Sequence, residues 1–220
     1  MVLLARREER LRPLAEELGG EYEVCDVADR AAVDEVARAV TARHPRIDLL
    51  VNNAGVPARA GFFAPDPAPI ETAMRTNYFG SVWCLRAFLP ALEAAAPSDV
   101  VNVVSVAGTV ALPGSGPYAA TKHAQLAFSR AAAAELRSRG IRVHTVLPGF
   151  VETEGFPQRD LRRTAVGRRV VIGPDRVVAA ILQARDRNRA EVVVPRFYRM
   201  ASLIQAVAPQ LMARVLARRG

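Results

Sequence analysis

Two rhythms of apolar residues alternate along this chain. Nearly unbroken apolar runs fall at 2–5, 22–25, 47–51, 100–104, 141–147 and 191–194, the length of buried strands. Between them, apolar positions recur every three or four residues at about 7–18, 29–43, 70–95, 117–139 and 174–186, and less regularly at 199–218. That spacing predicts helices, the first carrying Leu11, Leu14, Ala15 and Leu18 and closing at Gly19 and Gly20. Strands alternating with helices imply an α/β fold on a parallel sheet. The runs "IDLLV" and "DVVNVV" are almost wholly apolar, as strands covered on both faces should be, so the sheet is expected to be doubly wound.

In such sheets ligands bind beyond the carboxyl ends of the strands. The distinctive polar residues fall there. "NNAG" (52–55) follows the third run, Ser105 ends the fourth, and "PGFVET" (148–153) follows the fifth. Their convergence on one edge predicts a single site. Two long irregular stretches, 56–69 and 150–173, are further places to look for function.

Composition narrows the classes. A chain of 220 residues that is 50% apolar suits one domain with a substantial core. The two cysteines, Cys25 and Cys84, sit inside apolar stretches with no framework or metal spacing, so buried reduced thiols are expected. No run approaches the roughly 18 apolar residues of a membrane span and no signal-peptide pattern is visible, which makes the cytoplasm the expected compartment. The net charge of +8 comes from 29 arginines and one lysine, Lys122, a bias that suits a GC-rich gene. Arg162-Arg163, Arg168-Arg169 and Arg218-Arg219 are scattered, without recognition helix, zinc spacing or aromatic platform, so nucleic acid is not an expected partner.

The single lysine marks the chemistry. Tyr118 and Lys122 lie one helical turn apart in "PYAATKHA", so their side chains share a face. An ammonium beside a phenol favours the phenolate and lowers a pKa that is ordinarily about 10, giving a proton donor and acceptor usable near neutrality. Arginine is a poor substitute where a compact ammonium must tune a neighbour. Ser105, 13 residues before Tyr118, offers a hydroxyl to a substrate oxygen beside the phenol. Asn77, in "MRTNYFG", sits in a helical pattern where asparagine is a mediocre former. A buried polar contact would account for it, and so would a local bend.

"NNAG", "TNYFG", the serine 13 residues before "YAATK" and the later "PG…VET" together resemble the signature of the short-chain dehydrogenase/reductase family, over residues 1 to about 195. The resemblance implies a Rossmann-like doubly wound sheet: a dinucleotide-binding and catalytic domain over 1–198 with an amphipathic helical extension, 199–220, of the same domain. Tyr118 would be the general acid in carbonyl reduction and the general base in alcohol oxidation. Lys122 would lower its pKa and hold the nicotinamide ribose hydroxyls, Ser105 would orient the substrate oxygen, and Asn77 would keep a water in the proton relay. Asn53, Ala54 and Gly55 would line the adenosine side of the cofactor, Asp26 would reach the adenine and Val27 would pack beside it. Pro148, Gly149, Val151 and Thr153 would contact the nicotinamide end. A homodimer or homotetramer is implied by family analogy.

Cofactor choice follows from the end of the first run. An acidic residue there would accept hydrogen bonds from a ribose 2′-hydroxyl, but Ala5, Arg6 and Arg7 stand instead. A guanidinium can clamp a 2′-phosphate, so NADP(H) is expected in preference to NAD(H), with Arg6 as the contact. His44, His123 and His144 show no ligand spacing, and no metal is expected.

The family's first strand and glycine-rich turn should precede residue 1, which leaves residues 2–5 facing a gap where a central strand belongs. Two explanations are open. The protein starts about 30 residues upstream, roughly one strand and helix of a βαβ unit; or the chain is a truncated, non-catalytic relative that does not hold the cofactor normally. On either, these 220 residues alone are expected to be a poor dehydrogenase. Phe62, Phe63, Val110, Leu112, Phe150 and Phe156 are candidate pocket walls for an apolar carbonyl or alcohol. In 199–218, Met200, Leu203, Ile204, Val207, Leu211 and Val215 form an apolar stripe despite Pro209. It suits pocket cover, subunit packing or weak contact with an anionic membrane surface.

Overall fold

A computed structural model describes the chain except residues 59–60, 112–113, 211–213 and 215–220. Leu112, Leu211 and Val215 therefore lie outside the described residues. Among the described residues six parallel strands emerge close to the predicted runs: β1 (Val2–Ala5), β2 (Glu21–Val24), β3 (Leu49–Asn52), β4 (Ser98–Val103), β5 (Ile141–Pro148) and β6 (Glu191–Val194). Helices α1 (Glu8–Glu17) and α2 (Arg30–Arg43) join the first three strands. The next crossover is one long helical run. It starts as α3 (Ala68–Met74), passes through a π-helical turn (Arg75–Phe79) and continues as α4 (Gly80–Ala95).

The strands form a β3-β4-β5-β6 sheet and a separate β1-β2 pair. Among the described residues no strand fills the interval between β1 and β3, as the sequence led us to expect. Leu49 and Val51 of β3 consequently stay exposed. One apolar cluster still spans the break, with Val2 and Leu4 of β1, Leu50 of β3, Val36 and Val40 of α2 and Phe88 of α4 packed together.

The sheet is covered on both faces. Val100, Ile141 and Val143 pack under α4 and α5 (Gly116–Leu136) through Leu85, Leu92, Ala132 and Leu136. Their alternate neighbours Val101 and Val146 pack under α8 (Pro174–Asp186) through Ala180. That alternation is the period-two pleat read from both sides. Register is pinned by a buried polar rung, since Asn52, Asn102 and Thr145 are successive partners across β3, β4 and β5. Asn52 Nδ2 donates to Asn102 Oδ1 at 2.8 Å, Asn102 Nδ2 to Ser129 Oγ at 2.8 Å, and Ser129 meets Thr145 at 2.7 Å.

The irregular 150–173 stretch contains two short helices, α6 (Arg159–Arg162) and α7 (Ala165–Val170). The last described helix, α9 (Tyr198–Val207), breaks at Ala208, which takes φ −138° and ψ 57°. The cause is Pro209, which pushes its predecessor out of the helical region, so the irregularity expected within 199–218 falls there.

Candidate active site

Ser105 stands two residues beyond β4 and begins a tight turn, its Oγ accepting from Ala107 N at 3.1 Å and donating to Pro148 O at 3.3 Å. That turn is pressed against α5. A Cβ on Gly108 would lie 2.7 Å from Lys122 O, so only glycine permits the approach. Tyr118 and Lys122 occupy the first turns of α5, the Tyr118 hydroxyl hydrogen-bonded to Ser105. The Lys122 side chain is buried, with Nζ 3.3 Å from Val103 O, 2.7 Å from Gln125 Oε1 and 5.8 Å from the centroid of the Tyr118 ring.

Burial governs both titrating groups. It pushes the Tyr118 phenol up to about 12, against a hydrogen bond with Ser105 that acts the other way, and it pulls the Lys122 ammonium down to about 7. The expected lowering of the phenol by its lysine is therefore not realised here. The ammonium sits beside the ring and is taken up by Gln125 and Val103, and desolvation outweighs its field.

Asn77 resolves an open alternative, because contact and bend are both present. It lies in the π-helical turn, wholly buried, and accepts from Val56 N at 2.7 Å. Its Nδ2 donates to Val56 O at 3.0 Å and to Thr121 Oγ1 at 2.9 Å. The widened turn thus ties the segment after β3 to α5. Asn53, Ala54 and Gly55 are exposed on that segment, and a Cβ on Gly55 would lie 3.5 Å from Asn77 Oδ1 and 3.6 Å from Lys122 Nζ.

On the other side of the break, the carboxyl ends of β1 and β2 bring Arg6 and Asp26 together, Nη1 to Oδ2 at 3.9 Å. A carboxylate therefore does stand near Arg6, supplied by β2 rather than by the end of β1, where the sequence argument found none. Asp26 also accepts from Ala28 N at 3.0 Å, and Val27 packs against Gly80 at the start of α4. Arg7 faces Glu154 at 3.7 Å, and Arg10 is bonded to the same carboxylate. Pro148 and Gly149 leave β5 beside Ser105, Gly149 N donating to Val194 O at 2.9 Å. Val151 bridges to Ile172, and Thr153 Oγ1 accepts from Phe156 N at 3.2 Å.

The expected walls divide. Phe156 packs against Tyr118 in a tilted pair with ring centroids 5.6 Å apart, Phe150 meets Tyr198 at 6.3 Å, and Phe62 lies against Gly116. Phe63 is fully exposed and Val110 is core, packed with Leu126 and Leu147. Neither is a wall: Phe63 projects from its long loop into solvent, and Val110, just past the turn that follows Ser105, is taken up by core packing. Burial drives the Cys25 thiol up to about 11 and that of Cys84 up to about 12, so both stay protonated.

Gln125, Ser81 and Thr121 went unnoticed in the sequence. Gln125 Nε2 donates to Ser81 Oγ at 2.8 Å, and Ser81 donates on to Asn77 O at 3.3 Å. A signal existed: Tyr118, Lys122, Gln125 and Ser129 recur at helical spacing and form one polar stripe on an alanine-rich helix. All are buried but Tyr118, which keeps part of its ring exposed.

The residues present suit a nicotinamide cofactor. The exposed Asn53–Gly55 rim, the small residue beside Lys122 Nζ and the Arg6–Asp26 pair lie along one edge of the sheets. Similarity to known proteins agrees. The family model described as short chain dehydrogenase matches residues 1–163. Dehydrogenase/reductase SDR family member 7B of Xenopus laevis is 30% identical over 242 residues, spanning 100% of this chain and 73% of that protein. Sulfoacetaldehyde reductase 2 of Chromohalobacter salexigens is 39% identical over 165 residues, spanning 70% of this chain and 64% of that protein. Among solved structures, a short chain dehydrogenase from Burkholderia cenocepacia in complex with NADP superposes with a TM-score of 0.81 at 29% identity, over 97% of this chain and 84% of that one. The chain belongs to the short-chain dehydrogenase family, oxidoreductases of CH–OH and C=O groups that work with a nicotinamide cofactor.

Proposed function

We propose that the chain interconverts a carbonyl and a secondary alcohol on an apolar small molecule with NADP(H), Tyr118 acting as general acid and base. The observation that carries this reading is the juxtaposition of Tyr118, Lys122 and Ser105, with the chain's one lysine wholly buried beneath the phenol. The bound nicotinamide supplies the hydride. Ser105 orients the carbonyl oxygen, and Tyr118 Oη gives that oxygen its proton in reduction or takes the hydroxyl proton in oxidation. A phenol pushed up to about 12 by burial is protonated at neutral pH, the form that donates in reduction. The Lys122 amine, its pKa drawn down to about 7 by burial, is held beside the phenol by Val103 O and Gln125 and supplies a positive charge there when protonated. Phe156 packs its ring against that of Tyr118 and adds apolar surface beside the phenol.

The preference for NADP(H) is supported by Arg6 and by solved relatives that hold NADP at 29% and 32% identity. NAD(H) is the weaker choice, because Asp26 answers only part of the local positive charge. The proposal includes a cytoplasmic homodimer or homotetramer, for which the exposed Met200, Leu203 and Val207 of α9 offer apolar surface. A second reading, a non-catalytic scaffold, is favoured by the break between β1 and β3. The test is NADPH consumption with a panel of apolar ketones and sulfoacetaldehyde. Tyr118→Phe should cut turnover by about 10²–10⁴-fold with cofactor affinity unchanged, whereas a scaffold would show no turnover for either protein.

A further inference from the structure

The hydrogen bonds around Lys122 run through Gln125. The Ser81 hydroxyl has one hydrogen, which it gives to Asn77 O, so Ser81 Oγ accepts from Gln125 Nε2. With its nitrogen spent in that direction, the Gln125 amide presents Oε1 to Lys122 Nζ at 2.7 Å. Val103 O, at 3.3 Å, takes a second hydrogen. An ammonium has three. The third is unclaimed among the described residues, and Gly55, whose added Cβ would lie 3.6 Å from Nζ, leaves open space beside it. The whole chain from Lys122 through Gln125 and Ser81 to Asn77 is buried, where each unmade bond is costly.

We propose that Gln125 is a positioning residue of the reaction: its amide oxygen holds the Lys122 ammonium in the interior and aims the remaining hydrogen toward the reacting phenol and cofactor. This rests on the roles given to Tyr118 and Lys122 above. No carboxylate of the described residues faces Lys122 from β4, α4, the π-helical turn or the segment after β3; its titrating neighbour is Tyr118, on its own helix. The His123 ring turns away, to Ala119 O at 2.8 Å. A neutral amide is thus the principal partner of a wholly buried cation. Removing it favours loss of the proton, and a carboxylate in its place favours retention.

Because the chain has one lysine, lysine labelled with ¹³C at Cε gives one side-chain resonance, and its shift titrates Lys122 directly. The full chain is titrated as wild type, Gln125→Leu and Gln125→Glu, each checked for a cooperative melt. Gln125→Glu is isosteric and keeps the comparison open if the leucine variant fails to fold. The midpoint is expected to fall by about one to two pH units in Gln125→Leu and to rise by a similar amount in Gln125→Glu. The limb of the turnover pH profile that reports the lysine charge is expected to move with it. Unchanged midpoints in folded variants overturn the proposal. Midpoints that move while the profile stays fixed also overturn the positioning role, and separate that failure from a complete absence of turnover, which instead defeats the assignment of Tyr118 and Lys122.

Discussion

Asn77 Oδ1 and Val56 N lie 2.7 Å apart, and the same amide donates back to Val56 O at 3.0 Å. One side chain thus takes the place of a backbone partner for the segment that carries Asn53, Ala54 and Gly55. This two-way clasp explains why a poor helix former occupies a buried π-helical turn.

Asn77→Ala leaves the Val56 N–H and C=O without their partner. The cost should be about 1–3 kcal/mol of stability, read from denaturant unfolding. The Gly55 rim should loosen with it, so KM for the cofactor should rise more than kcat falls. A variant with wild-type stability and KM would contradict the clasp.

Asp99 sits buried at the opposite edge of the sheet among cations. Burial alone would raise its carboxyl. Hydrogen bonds from His144 at 2.8 Å and Arg142 at 2.7 Å, with the Arg142 charge, outweigh burial and hold it below the ordinary carboxylate range. Arg185 adds a third contact at 3.3 Å. A carboxyl depressed by folding contributes stability that is fully present above its unfolded pKa, near 4, and is lost as pH falls through its lower folded value. Wild-type stability should therefore decline as pH drops from about 5 toward 3. Asp99→Ala should cost about 3 kcal/mol at pH 7, because it strands the buried His144 beside Arg142, and should flatten the acid limb. Unfolding curves between these pH values read both effects.

Gly108→Ala tests how the Ser105 turn meets α5. The added methyl would lie 2.7 Å from Lys122 O, a backbone atom with no rotamer to yield. A loss of about 1–3 kcal/mol is expected, with a further loss of kcat as α5 backs away from Ser105. Equal melting temperatures for variant and wild type would mean that the turn and the helix do not press together.

Much of this was legible along the chain. The strand runs over 141–147 and 191–194 and the helix over 174–186 were recognisable because burial on both faces, or on one stripe, writes a strong period. Tyr118 and Lys122 announced themselves through the scarcity of lysine. What the sequence concealed depended on distant partners. The Asn52–Asn102–Thr145 rung exists only once three strands are in register. Gln125 looks like an ordinary helix residue until Ser81, 44 positions away, takes its nitrogen. Phe63 and Phe156 are equally apolar in long loops, and only the fold turns one to solvent and the other onto Tyr118. Asp26 was assigned to the adenine side, but its approach to Arg6 required the pairing of β1 with β2.

The central claim is a nicotinamide site at the carboxyl edge of the strands, with Arg6 favouring NADP(H). Its most direct test is the melting temperature of the full chain titrated with NADPH, beside NADH and beside Arg6→Ala. Ligand at about 100 times its Kd should stabilise the native state by about 2.7 kcal/mol, a clear upward shift. The shift should be larger for NADPH than for NADH, and the difference should vanish in Arg6→Ala. A folded chain whose melting temperature ignores both nucleotides would contradict the account.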